Sequence, residues 1–244
     1  MDVELYKQVR EDANVEVIQI NGRSYTSKEI YRVKEPTPET LEVSTLTALV
    51  DYIKTNRDAN DINTLICHVE SPTRVSIYSN LHGDFDQRDK FIRATARINI
   101  PAFNTFQDAE KFNIYLQSCF TESPVKDLAS GSLVPTDKAL LLKYVGNVKQ
   151  KQVETVGDDG VSQEIVVKSG IASVNAVILP NPVTLRPYRT FNEVEQPASS
   201  FVFRARTGPE FALIEADNRA WESEAMQNIK QFMQSEVPEL HVIA

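Results

Sequence analysis

The sequence predicts an α+β fold in one domain over residues 1–244: a mixed, mainly antiparallel sheet, three to four amphipathic helices and a projecting polar hairpin. Three observations predict it. Apolar and polar residues alternate along 91–100, so one strand face is buried and the other is wet, the antiparallel habit. Helical stripes recur between strand signals. The order of strands and helices shows neither a βαβ alternation nor a repeat.

Near the start, Val15, Val17, Ile18 and Ile20 precede Asn21-Gly22, and residues 23–25 follow. Asn-Gly between such runs signals a tight hairpin, because both residues accept a positive φ. The turn-rich stretch EPTPET leads to a helix with Leu46, Leu49, Val50 and Ile53 on one stripe and Ser44 or Thr45 to cap it. Strands are expected at 64–69, 74–79 and 91–100. In the last, Ile92, Ala94, Ala96, Ile98 and Ile100 share one face, while Arg93, Thr95, Arg97 and Asn99 share the other. A second helix is expected from Thr105, burying Ala109, Phe112, Leu116 and Phe120, with Thr105 and Asp108 at capping spacing. A third covers 137–145 and stops near Gly146.

Residues 149–156 and 161–168 flank a GDDG turn and read as a hairpin rich in Lys, Gln and Glu. With so little core of its own, it projects into solvent or pairs with another chain. Pro180, Pro182 and Pro187 then break the chain. Beyond them Phe201, Phe203 and Ala205 alternate with Arg204 and Arg206, and 210–216 supplies the partner strand. Asp217 or Asn218 caps a closing helix with Trp221, Ala225, Ile229 and Phe232 on its stripe.

Composition narrows the function classes. Hydrophobic residues make up 41% and charged residues 25%, an ordinary globular mix. The first residues are charged and contain no apolar core, so no signal peptide is expected. No apolar run approaches the roughly twenty residues of a membrane helix. Two cysteines, Cys67 and Cys119, are too few for a disulfide framework, which points to the cytosol. The net charge of −8 opposes nucleic-acid binding except through a local patch.

Several clusters are candidates for chemistry. His82, Asp84 and Asp86, with Asp89 close by, are the densest set of metal-ligand types. Gly83 and the three aspartates also fit an exposed turn, so no metal site is assigned. Asp158-Asp159 lacks the spacing of a calcium loop. Cys67 and His68 are adjacent on a strand, point to opposite faces, and cannot act as nucleophile and base. Phosphate-loop, dinucleotide, nucleophile-elbow and zinc-protease motifs are absent, so no catalytic residue and no cofactor is assigned.

The strongest hint of a binding function is basic and aromatic. Arg186, Tyr188 and Arg189 lie close together, Arg204 and Arg206 follow, and Arg93 with Arg97 forms a second row. Arginine forks match phosphates and aromatic rings stack on bases, which suits a nucleotide or nucleic acid. The plainer alternative carries more weight: solvated strand faces whose arginines pair with the surplus of glutamate.

Within 185–206 the pattern Arg189-Thr190-Phe191, Glu193-Val194, Gln196-Pro197 and Phe201-Val202-Phe203-Arg204 resembles the YfdQ-like family of phage and prophage proteins. The resemblance covers roughly the last third of the chain, with a strand pair and helix over 185–235. It implies a tailed-phage or prophage product in the cytoplasm of the bacterial host and brings no catalytic residues with it. The motif also reads as structural, with Phe191, Phe201 and Phe203 anchoring a core.

Together these readings predict a non-enzymatic phage accessory protein acting as a homo-oligomer, with 149–168 and the N-terminal strand pair as contact elements. A nucleotide- or nucleic-acid-binding module on the arginines is the first alternative. A metal-dependent enzyme at His82, Asp84 and Asp86 is the second. No membrane partner is expected.

Overall fold

A computed structural model describes residues 17–20, 23–26, 37–55, 58, 60–83, 86–99, 102–126, 131–149, 153–158, 163–169, 172–173, 181–206 and 210–244. The sequence reads as one domain; the structure divides into two compact units, Met1–Thr37 and Pro38–Ala244. In the first, β1 (Val17–Ile20) and β2 (Arg23–Thr26) pair antiparallel with Ile20 opposite Arg23, the two-residue hairpin that Asn-Gly predicts.

The second unit begins with β3 (Leu41–Val43), α1 (Leu46–Thr55), β4 (Leu65–Ser71), β5 (Arg74–Ser79) and β6 (Lys90–Thr95). It continues with β7 (Gln107–Asp108), α2 (Ala109–Cys119), β8 (Phe120–Thr121), β9 (Val125–Lys126), β10 (Leu133–Val134) and α3 (Lys138–Lys149). Then come β11 (Val153–Asp158), β12 (Gln163–Ser169), β13 (Ala172–Ser173), β14 (Val183–Pro187), β15 (Ser199–Arg206), β16 (Glu210–Glu215), α4 (Ala220–Glu236) and β17 (His241–Ile243). Among the described residues no helix is long and apolar enough to cross a membrane.

Two five-stranded sheets carry the α+β fold. The first has the order β17-β4-β5-β6-β3; its middle is antiparallel and its two edge strands pair parallel. Leu65, Cys67, Val69, Val75, Ile77, Ile92 and Ala94 point to one side and pack on α1 and α4. The α1 stripe is the predicted one, Leu46, Leu49, Val50 and Ile53 all being buried. The second sheet, β7-β16-β15-β14-β8, is antiparallel throughout. Val183, Leu185, Phe201, Phe203, Ala205, Phe211 and Leu213 pack on Phe112 and Leu116 of α2 and Leu141 and Tyr144 of α3. Each fully buried side chain of this size contributes about 1.5–3 kcal/mol relative to exposure. Phe203 stacks on Phe211 at 5.8 Å and meets the edge of Tyr144 at 5.5 Å.

The loop 188–198 joins the two layers, and Gln196 organises it. The buried Gln196 Oε1 accepts from the backbone N–H of Arg189 at 3.0 Å and of Thr190 at 3.3 Å. Its Nε2 donates to Phe191 O at 2.9 Å and Val194 O at 3.4 Å. From this frame Phe191 and Val194 enter the first core, and Thr190 Oγ1 donates to Pro72 O at 2.5 Å beyond β4. The Glu193 carboxylate accepts from Leu46 N at 2.9 Å, so it caps α1 from 147 residues away, beside the predicted local cap of Thr45 on Ala48 N.

Several element boundaries differ from expectation. β6 stops at Thr95, because its partner β5 begins at Arg74, directly opposite. α2 starts at Ala109 with Asp108 as its cap, because Gln107 and Asp108 pair with β16. Phe120, expected on the helix stripe, is buried in β8 instead. α3 continues through Gly146 to Lys149. α4 begins after Arg219, which holds a positive φ of 62° and has no side-chain cap; Asp217 instead accepts from Arg219 N at 3.2 Å. Phe232, expected on its buried stripe, is half-buried, and Met233 is buried in its place. Despite three prolines nearby, 183–187 forms a strand beside β15, with Pro187 at its end. The strands of the polar hairpin pair antiparallel, with Asp158 opposite Gln163; the expected GDDG turn lies partly outside the described residues.

Candidate functional site

The basic-aromatic segment divides into an inner and an outer set. Arg186 is buried; its Nη1 donates to Pro124 O at 3.0 Å and its Nη2 to the Glu195 carboxylate. Arg189 is also buried. It donates to Glu215 Oε1 at 2.6 Å and to Ser199 Oγ, and its guanidinium lies 4.0 Å from the Trp221 ring centroid. Burial pushes the Arg189 guanidinium down to about 10, against the pull of Glu215 and Asp217, so it stays a cation at neutral pH. Both arginines pair with glutamate, as the plainer sequence reading held. Both are buried, which corrects the expectation of a wet strand face.

The others separate as well. Arg204 is half-buried and donates to Phe203 O at 3.2 Å. Arg206 is exposed and lies 3.6 Å over the Phe106 ring. Arg93 is half-buried and pairs with Glu42 at 3.4 Å. His82 pairs with Asp89 at 3.0 Å, and its backbone exchanges hydrogen bonds with Gln87 across the turn. Gly83 and Asp86 take positive φ there; Asp84 lies outside the described residues. Among the described residues no group of three or more His, Cys, Asp and Glu is placed to hold a metal ion.

Arg97 and Tyr188 come together. They line one cleft of about 500 Å³ with Ile98, Asn99, Ser118, Cys119 and Asn192. Three segments build it. Beyond the end of β6 the chain leaves the sheet and exposes Arg97 and Asn99. The last turn of α2 brings Ser118 and Cys119. The loop 188–198 brings Tyr188 and Asn192, and Tyr188 N donates to Cys119 O at 2.9 Å. Tyr188 thus stands between two anchored arginines and is held in place without being covered.

The electrostatics of the cleft run against those of the chain. The protein carries 34 acidic and 26 basic residues, yet among the described residues Arg97 is the only charged residue lining the cleft and no carboxylate pairs with it. The C-terminal end of α2 would offset that charge through its carbonyl dipoles. The buried Lys138 answers them: its Nζ donates to Phe120 O at 2.7 Å and to Gln117 O at 3.4 Å. Cys119 is half-buried in the cleft, whereas burial pushes the Cys67 thiol up to about 12 in the first core, where it is inert. The sequence pointed to Arg97 and Tyr188 but not to Asn99, Asn192 or Ser118, which sit in three separate segments and form no local motif.

No family model matches the chain, and no curated protein or solved structure is significantly similar to it.

The two arginine sets respond differently to truncation. Arg189→Ala leaves Glu215 and Ser199 without their partner and is expected to cost about 3 kcal/mol, the lower end for one member of a buried pair. Arg206→Ala is expected to cost less than about 1 kcal/mol, the scale of an exposed cation–ring contact. Urea unfolding of both variants checks this; equal losses contradict the division into an inner and an outer set.

Proposed function

We propose that the protein is a non-enzymatic binding protein of the phage and prophage kind, working in the bacterial cytoplasm, and that it holds a small oxyanion in the cleft at Arg97. One observation carries the reading: among the described residues, an arginine with no carboxylate partner lines a cleft without a carboxylate, in a chain with a net charge of −8. Arg93 is held by Glu42, whereas no described carboxylate pairs with Arg97, which leaves its fork open to a ligand inside the cleft. The lining offers a cation, carboxamides, a phenol, the Ser118 hydroxyl and the Cys119 thiol, and among the described residues neither an imidazole nor a carboxylate to serve them as a base. The phage setting is supported by the Arg189–Arg204 motif alone.

Self-association belongs to the same proposal. On the edge strands β3 and β17 of the first sheet Leu41 and Ile243 are exposed, which supports an apolar contact with a second copy.

Titration calorimetry with pyrophosphate at low salt tests the binding site. Arg97→Ala is expected to weaken binding at least tenfold, about 1.4 kcal/mol, with the melting temperature unchanged. Wild-type protein that ignores pyrophosphate, phosphate and AMP alike overturns the reading, as does an Arg97→Ala variant that binds normally. Light scattering on the same samples tests self-association, which a monomeric mass contradicts.

A further inference from the structure

We infer that the ligand of the cleft is a mononucleotide, with its phosphate on Arg97, its base against the Tyr188 ring and its base edge read by Asn99 and Asn192. This rests on the oxyanion reading above and narrows it. Four features point to a nucleotide rather than to a bare anion. First, Tyr188 is 38% exposed at a position fixed by its own backbone bond to Cys119 and by the buried Arg186 and Arg189 on either side. An exposed aromatic ring carried on a fixed backbone can serve as a stacking platform, and stacking tolerates any base.

Second, the carboxamides of Asn99 and Asn192 make no hydrogen bond among the described residues, and both line the same cleft. A carboxamide donates and accepts side by side, which is the pattern a base edge presents and a phosphate or sulfate does not. Third, the volume of about 500 Å³ lies within the range of roughly 300–1,000 Å³ for a small-molecule site. Fourth, the chain's negative field opposes a polyanion, whereas one phosphate needs only the one arginine. The hydroxyl of Ser118 already donates to Ile114 O at 2.8 Å, so it offers the ligand only an acceptor.

The test compares AMP, GMP, CMP, UMP, ribose 5-phosphate, pyrophosphate and the oligonucleotide A6 by calorimetry on the full chain. At least one mononucleotide is expected to bind about tenfold or more tighter than ribose 5-phosphate. Tyr188→Ala is expected to erase that margin while Tyr188→Phe retains it. Cys119 supplies a second readout that needs no variant: it lines the cleft, and Cys67 is buried. The bound nucleotide is expected to slow alkylation of Cys119, and ribose 5-phosphate at equal concentration much less. Arg97-dependent binding that is indifferent to the base and to Tyr188 overturns the mononucleotide and leaves the oxyanion site standing. Tighter binding of A6 than of every mononucleotide also overturns it. Failure of all the anions overturns both readings.

Discussion

Both ends of the Gln196 carboxamide are tied into one loop, and the rest of the second unit is arranged around that loop. The side chain is buried, so each of its polar atoms must be met inside the protein. It meets two N–H groups and two carbonyls of residues 189–194, and so replaces the ladder bonds a loop lacks. With its backbone fixed, the loop sends Phe191 and Val194 into the first core, Glu193 to the start of α1 and Arg189 to Glu215 on the second sheet. Two sheets that share no strand are joined by a segment of about ten residues.

The same loop explains why the arginines divide. Residues that point inward from it find carboxylates at fixed positions and lose their water. The Arg189 guanidinium keeps its charge because Glu215 offsets the cost of burial and the Trp221 ring faces it. Tyr188 is the aromatic residue the loop leaves outside, and it lines one cleft with Arg97 from beyond β6. The cleft therefore follows from how the two layers are joined, and its open aromatic ring and free cation follow from which side chains the joint uses.

Much of the fold was legible because it rests on period. The stripe of α1, the one-sided burial of β6 and the alternation of β15 are local patterns, and each is where the sequence placed it. Boundaries were less legible, because partners set them: β6 ends where β5 begins, and the Asp108 region starts as a strand because β16 needs an edge. The two-residue and three-residue strands were not legible at all, being too short to show a period. The motif at 189–204 was legible as a structural element but not as a joint, since Phe191 serves one core and Phe201 and Phe203 the other. Of the seven aromatic and basic candidates, only Arg97 and Tyr188 meet. Burial decides that, and a count of charges along the chain does not show it.

One buried carboxamide thus couples two separate cores. Native-state amide hydrogen exchange on Gln196→Ala tests it most directly, following the slow amides of β4 and β5 and those of β15 and β16 in one experiment. Unmet buried polar groups cost about 1–3 kcal/mol each. The opening free energies of both sheets are expected to fall together, by about 2 kcal/mol or more. Loss of protection confined to the second sheet and the loop, with β4 and β5 unchanged, would contradict it.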